Sequence, residues 1–323
     1  MNRELGEFLD TITKQGGIDL HSHSTASDGS LKAEEVYDLA RAKGLSFFAL
    51  TDHDTIDGVL ALMDRHHTLE SVLEQKNLSL KDLRDDRTLK EIKLQTKKEP
   101  ILVPGLELSV LYLDQEVHLL AYFIGSNIKK LSHFLARERD RRYARNKAML
   151  ARFKELGINV PQNLLDPSPD QPSPGRVKLA AWLLAHGHAD SISDAFNLYL
   201  SEGRPAYVPK QRVKIQEALN LIDRAQGFPV IAHPQQYGWC QSRTLLQEKI
   251  QPLEALTNQQ LGIEAYHGRA SLEDKKLLQD FIQKAGIKAT AGSDFHGSHR
   301  PESRLYDYTA NPSNFYSNQP YEV

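Results

Sequence analysis

Short apolar runs followed within three residues by histidine, aspartate or glutamate recur along this chain, and no other feature of its 323 residues restricts the fold as much. The runs fall at 17–20, 45–50, 101–106, 117–124, 228–232, 261–266 and 287–291, and their length and apolar content predict strands. Helical patterns lie between several of them. The segment 31–43 puts Val36, Leu39 and Ala40 on one face; it and the patterns at 214–226 and 271–285 run to Gly44, Gly227 and Gly286, the residue type suited to ending a helix. Such alternation predicts an α/β fold with a largely parallel sheet or barrel. His21 and His23 follow the first run, Asp52 and His53 the second, Glu107 the third, His233 the fifth, and Asp294 and His296 the last. In a parallel barrel these ends share one rim, where loops meet the substrate. Histidines buried only for packing have no reason to keep to it.

Composition narrows the class. Forty basic against 42 acidic residues leave a formal charge of −2, which gives no global reason to expect a nucleic-acid coat protein or a membrane-surface binder. No apolar run approaches the ~20 residues needed to cross a bilayer, and Met1 to Asp10 is polar without an export segment. These features predict a soluble cytoplasmic protein with no membrane contact and no evident obligate protein partner. Cys240 is the single cysteine, so neither an internal disulfide nor a Cys-x-x-Cys zinc site is available.

Two stretches interrupt the alternation. Residues 64–99 are strongly charged, with leucines at irregular spacing, and predict a helical, surface-exposed insertion. Residues 126–212 predict a helical subdomain: a long helix at about 130–156, a Pro-rich turn from Pro167 to Gly175, and shorter helices near 176–186 and 191–201. The resulting division is 16–125 for the first part of a barrel, 126–212 for an inserted substrate-side subdomain, 213–308 for the second part of the barrel, and 309–323 for a peripheral tail.

His21-Ser22-His23 leaving a strand sends two imidazoles to the same side, because side-chain direction repeats every two residues. Asp294-Phe295-His296 repeats that spacing with a carboxylate and an imidazole. The mixed donor set suits borderline divalent ions such as Mn, Zn or Fe better than Ca or Mg, which favour oxygen shells.

The order His-x-His, Thr51-Asp52-His53-Asp54, Gly105-Leu106-Glu107, Ala232-His233-Pro234 and Gly292-Ser293-Asp294-Phe295-His296 resembles the PHP (polymerase and histidinol phosphatase) superfamily, over residues 17 to 299. The segments Ile18 to Gly29 and Ala49 to Thr55 resemble its branch of 3′,5′-nucleoside bisphosphate phosphatases, with 5′-nucleotidase and 5′-to-3′ short-RNA exonuclease activities. The resemblance implies a distorted (β/α)7 TIM-like barrel with an inserted helical subdomain, holding about two to three divalent ions, manganese first, with Zn, Fe or Mg as the other candidates. It implies His21, His23, Glu107 and Asp294 at a first site. Bridging Glu107 with His118 and His233 would form a second, and Asp28, His53 and His296 a third. Asp28 stands where several other branches carry histidine. His118, at the start of a strand rather than its end, is singled out by the resemblance and not by composition. Two cations about 3.5–4 Å apart acidify a shared water and clamp a phosphate. The implied activity is therefore release of a terminal phosphate from a small nucleotide, and of nucleotides from the 5′ end of short RNA, with Glu107, Asp294 and His296 as catalytic residues.

On the substrate side the resemblance reaches Arg176, in Gly175-Arg176-Val177-Lys178, and Arg204 and Tyr207, in Gly203-Arg204-Pro205-Ala206-Tyr207. Lys178 stands where relatives commonly have histidine. Arginine can take a phosphate bidentately and tyrosine can stack on a base. Asp52 and Asp54 are candidates to orient ligand histidines, with loop capping as the alternative for Asp52; Glu264 is a candidate to do the same or to brace the barrel. Arg137, Arg141 and Arg145, with Arg139, Arg142 and Lys147, form a basic stripe on the long helix, either a guide for a polyanion or a solvated face. Arg300 lies in Gly297-Ser298-His299-Arg300-Pro301, which replaces a longer Gly-rich stretch, and is a candidate phosphate contact. His66-His67 and His186-x-His188 read as surface residues. Two alternatives stay open: a histidinol-phosphate-type or other small phosphomonoesterase, and a PHP module without catalysis, against which the full ligand set argues.

Overall fold

The structure is a computed structural model, and it describes residues 1–95, 99–168, 174–209 and 211–305. The tail expected at 309–323 and the middle of the Pro-rich turn lie outside the described residues. The described strands are β1 (Ile18–Asp19), β2 (Phe47–Phe48), β3 (Ile101–Leu102), β4 (Gly105–Tyr112), β5 (Gln115–Tyr122), β6 (Val213–Lys214), β7 (Phe228–Ile231), β8 (Gly262–His267) and β9 (Lys288–Gly292). The helices are α1 (Arg3–Gln15), α2 (Ala33–Ala42), α3 (Asp57–Met63), α4 (Leu69–Lys76), α5 (Asp86–Gln95), α6 (Ser132–Glu155), α7 (Arg176–Ala185), α8 (Ile192–Ala195), α9 (Ile215–Arg224), α10 (Arg243–Leu256) and α11 (Leu272–Ala285).

The mixed α/β architecture contains two sheets. One is three-stranded and parallel, in the order β1-β2-β3; the other has six strands in the order β6-β4-β5-β7-β8-β9. Backbone hydrogen bonds join them at both sides. Leu20 N donates to Ala291 O (3.0 Å) and His23 N to Phe295 O (2.9 Å), so the exit of β1 runs beside the exit of β9. Asp54 N donates to Glu107 O (2.8 Å), and His53 and Glu107 form a parallel bridge.

Most strand pairs are parallel, as expected, and β5 is the exception, running antiparallel to both β4 and β7. A two-residue turn makes the reversal. Leu113 and Asp114 adopt left-handed φ values of 47° and 61°, the backbone that matches strand twist in a tight hairpin. Glu107 also moves: the run 101–106 is not one strand, and Glu107 is the third residue of β4 rather than a residue beyond a strand end.

Side-chain alternation divides each strand between two cores. On β5, Val117, Leu119 and Ala121 join the core that includes Phe48, Leu106 and Ile263. Leu120 and Tyr122 join the other, with Ile18, Phe47 and Val230. That second core is completed by α1, whose Leu5, Phe8, Leu9 and Ile12 are fully buried, each contributing about 2 kcal/mol. The polar composition of residues 1–10 hides this helix, but positions 5, 8, 9 and 12 have the spacing of one helical face. Asn2 caps it by accepting from Leu5 N.

The 64–99 insertion is helical, but apart from the exposed Leu94 most of its leucines are not on the surface. Leu69, Leu73, Leu83 and Leu89 are buried in the second core, with the charges outside. Lys93 Nζ donates to Gly16 O (2.8 Å) and Gln15 Nε2 to Asp86 Oδ1 (2.8 Å), which sets the insertion against α1 and the entry of β1, away from His21 at its exit. Residues 149–206 build a third core of their own, including Met149, Phe153, Leu179 and Leu200, which gives the helical segment an independent interior.

Candidate metal centre

His118 lies on the same face of β5 as Leu120 and Tyr122, and because β5 is reversed, its beginning lies level with the ends of its parallel neighbours. Its carbonyl accepts from Ala232 N (3.1 Å), next to His233, and across the ladder it faces Ser109. One antiparallel strand therefore brings a strand-start histidine into a set of strand-end ligands.

Glu107 is at the centre of this set and fully buried. Its Oε2 lies 3.2 Å from His21 Nε2, 3.2 Å from His23 Nε2 and 3.0 Å from His53 Nδ1. Its Oε1 lies 3.0 Å from His118 Nδ1 and 3.1 Å from His233 Nε2. Each oxygen thus faces its own group of imidazoles. Asp294 Oδ1 approaches His23 Nε2 at 3.3 Å and His21 Nε2 at 3.5 Å. Asp28 lies 3.2 Å from His296 Nε2 and 3.9 Å from His53 Nε2.

Three overlapping sets of donor atoms fall close enough to share an ion: His21, His23, Glu107 and Asp294; His53, Glu107 and His118; and His23, Asp28, His53 and His296, within each of which all donor atoms lie within 4.8 Å of one another. His53 occurs in the second set and His233 does not, although His233 hydrogen-bonds to Glu107. The donor atoms fit a cation by a further observation. His23 Nδ1, His53 Nδ1, Glu107 Oε2, His118 Nδ1, Asp294 Oδ1 and His296 Nε2 are buried with no hydrogen-bond partner. Buried polar atoms are rarely left so in folded proteins, and a shared ion accounts for several at once.

The electrostatics agree. Burial would depress His21 and His23, but Glu264, Glu107 and Asp294 outweigh it for His21, and Asp294 and Glu107 for His23; His21 is raised well above its ordinary value and His23 to about 9. Burial wins at His53, held well below its ordinary value, and at His233, lowered to about 4. Against burial, the histidines hold Glu107 and Asp294 well below the usual carboxylate range.

Several supporting residues differ from expectation. Glu264 does orient a ligand: its Oε1 accepts from His21 Nδ1 (2.9 Å) and its Oε2 from His233 N (2.9 Å), leaving His21 Nε2 to face the cluster. Asp52 does not. It accepts from Ser24 N (2.7 Å), Ser24 Oγ (2.8 Å) and Ser27 Oγ (2.6 Å), holding the turn that carries Asp28, so the loop-capping alternative holds. Asp54 accepts from Ser109 N (2.9 Å) and pairs with Arg142 of α6 at 2.7 Å. Composition also passed over His267, fully buried with its Nε2 3.7 Å from Asp294, and Arg269. The signal for both was available in their position at the exit of the 261–266 run.

The backbone is shaped for these contacts. Asp54, His233 and Asp294 have φ values of 53°, 29° and 55°, a left-handed region that non-glycine residues seldom adopt and that clusters at functional sites. At Gly292 a Cβ would fall 2.2 Å from the Cβ of His21, so only glycine lets β9 approach β1 this closely.

The substrate-side residues sit in the helical segment. Arg176 donates to Leu200 O (3.2 Å) and lies over the Phe196 ring; Tyr207 is buried, and its carbonyl accepts from Arg152. Arg204 is exposed. Among the described residues, no hydrogen bond or ion pair links these three to the ligand cluster. The basic stripe is largely paired: Arg137 with Glu217, Arg139 with Asp57, Arg141 with Glu138, Arg142 with Asp54. His66 is bound by Glu34 and stacked on Tyr37, while His186 and His188 flank Trp182.

A strand-end cluster of this kind, shared around one glutamate, defines a metal-dependent hydrolase site, and sequence comparison agrees. The PHP domain family matches residues 19–200, more than half of the chain, which belongs to this family. It is 30% identical over 284 residues to a 3′,5′-nucleoside bisphosphate phosphatase of Chromobacterium violaceum, covering 86% of this chain and 87% of that one. It is 26% identical over 280 residues to a 5′-3′ exoribonuclease of Escherichia coli, covering 86% and 84%. Among solved structures, a candidate metal-dependent phosphoesterase from Bifidobacterium adolescentis superposes with a TM-score of 0.66 at 25% identity, covering 93% of this chain and 94% of that one.

Proposed function

We propose that this chain is a phosphoester hydrolase that releases the terminal phosphate of small nucleotides, nucleoside 3′,5′-bisphosphates or 5′-mononucleotides, and removes nucleotides from the 5′ end of short RNA. The observation that carries the reading is Glu107, with separate imidazole groups on its two carboxylate oxygens. The nucleotide substrate rests on the names of the relatives. About two to three divalent ions, manganese first, in a distorted (β/α)7 barrel in the cytoplasm complete the proposal. It favours neither a histidinol-phosphate-type enzyme nor a module without catalysis.

When bound, the ions supply an acidified water and neutralise phosphate charge. The protein supplies the rest. Glu264 accepts the hydrogen bond from His21 Nδ1, which leaves the Nε2 lone pair facing the cluster. His296 does the same through the Asp294 carbonyl, which accepts from its Nδ1 at 2.8 Å and frees Nε2 beside Asp28. Glu107, Asp294 and His296 thus hold and orient the reacting group. Arg176, Arg204 and Tyr207 remain the proposed contacts to the rest of the nucleotide.

The test is phosphate release from adenosine 3′,5′-bisphosphate, AMP and histidinol phosphate by Mn-loaded wild type and Glu107→Gln. Turnover of a nucleotide that falls about 10³-fold in the variant supports the reading. Preference for histidinol phosphate, or no release from any of the three, overturns it.

A further inference from the structure

Asp294 uses its two oxygens differently. Oδ1 faces His21 and His23 and has no hydrogen-bond partner, whereas Oδ2 accepts from Arg269 Nη2 at 3.1 Å and Arg300 Nη1 at 2.9 Å. The two arginines come from different places: Arg269 follows His267 at the exit of β8, and Arg300 lies beyond β9, four residues after His296. Their side chains are 31% and 32% exposed, while the carboxylate they share is 2% exposed. Among the described residues, the other carboxylate near either arginine is Glu302, 3.8 Å from Arg269 Nη1 and itself 56% exposed.

Two guanidinium charges therefore meet on one carboxylate, and that carboxylate also belongs to the first ligand set. Once its negative charge is shared with a divalent ion, the two cations are under-compensated. Each guanidinium carries five N–H donors in a planar fork, of which the hydrogen bonds to Asp294 use one at each arginine. Partly exposed guanidinium groups with spare donors, placed beside a ligand cluster, are suited to a tetrahedral oxyanion, which arginine binds bidentately.

We propose that Arg269 and Arg300 form a two-arginine clamp for the phosphoryl group that is hydrolysed, binding its non-bridging oxygens beside Asp294. The proposal rests on the phosphoester-hydrolase reading and names residues that reading does not use. The scissile phosphate is favoured over a second, non-reacting one because Oδ1 and Oδ2 belong to a single carboxylate. A phosphoryl group seated against the ligand cluster lies within reach of the clamp. Charge developing on those oxygens in the transition state would strengthen the contacts.

The experiment measures inorganic phosphate binding to Mn-loaded protein by calorimetry, alongside kinetics on adenosine 3′,5′-bisphosphate and AMP, for wild type, Arg269→Ala, Arg300→Ala and both lysine variants. The clamp predicts weaker phosphate binding in each alanine variant. It also predicts a loss of about 10²-fold in kcat/KM, equal for the two substrates, with lysine restoring part of both. Mn affinity is measured in the same samples, because an arginine that only orients Asp294 would change it by about 10–100-fold, whereas the clamp predicts that phosphate binding falls even at saturating Mn. Unchanged phosphate binding with weakened Mn binding would overturn the proposal and leave only positioning of Asp294. Loss confined to the bisphosphate would also overturn it, by assigning the clamp to a non-reacting phosphate. If wild type hydrolyses neither ester, the functional reading fails by itself, and the phosphate calorimetry still decides whether the clamp binds the anion.

Discussion

The strand ends and the helical segment both carry dense charge, but they satisfy it in opposite ways. Around the strand ends, Glu107, Asp294 and the histidines other than the part-exposed His118 are almost wholly buried, and several of the cluster's donor atoms have no hydrogen-bond partner. In the helical segment the arginines find partners within the protein: Arg145 donates to Val208 O (2.8 Å), Arg176 to Leu200 O (3.2 Å) and Arg142 to Asp54 (2.7 Å). A region that leaves buried polar atoms open is built to be completed by a ligand. One that closes its own charges is built to hold shape. The segment's arginines therefore need rearrangement before they can serve a substrate, whereas the cluster is already arranged.

The comparison breaks most visibly at Glu264, which touches ligands without belonging to any of the three donor sets. Glu264→Gln should weaken Mn binding about 10–100-fold while the fold persists, as measured by calorimetry and circular dichroism. Unchanged affinity would mean that Glu264 merely braces the strands.

A smaller effect comes from pH. Ligand histidines must be neutral to bind a cation, and in the metal-free protein His23 is raised to about 9 and His21 well above its ordinary value, whereas His53 and His233 are already neutral at pH 7. Mn binding at pH 7 should therefore release protons, and affinity should climb by about tenfold per pH unit for each proton released, with the His23 contribution flattening near pH 9. For the metal-free fold the sign is opposite. A raised His23 adds stability that is complete below its ordinary value and lost as pH rises through about 9, so metal-free and Mn-loaded melting curves should diverge with increasing pH. Parallel curves would remove the assigned charge pattern.

The smallest effect is at the junction between the two regions. Arg142 of α6 reaches Asp54, next to His53, with both side chains mostly buried. A double-mutant cycle on Arg142→Ala and Asp54→Asn, read by urea unfolding, should give a coupling of about 1 kcal/mol. A coupling of zero would leave the helical segment without this tie to the ligand cluster.

How much of this was legible from sequence depends on how each residue reaches the cluster. His21, His23, His53, His233, Asp294 and His296 follow apolar runs, so periodicity and order find them. His118 needs the hairpin at Leu113-Asp114, a turn without the usual asparagine or glycine, and no local pattern announces that β5 reverses. Asp52 and Asp54 have the right chemistry and position, yet their hydrogen bonds go to Ser24, Ser27, Ser109 and Arg142, which only three dimensions reveal. Helix α1 was hidden by its charged face, and the leucines of 64–99 by spacing that suits packing from two short helices and a turn rather than one long face.

The account stands on Glu107 as the residue shared between cation sites. Its direct test is the number of manganese ions retained per chain after desalting, compared between wild type and Glu107→Gln by elemental analysis. The prediction is about two to three ions in the wild type and at most about one in the variant. Equal stoichiometry in the two proteins would contradict a shared ligand at Glu107.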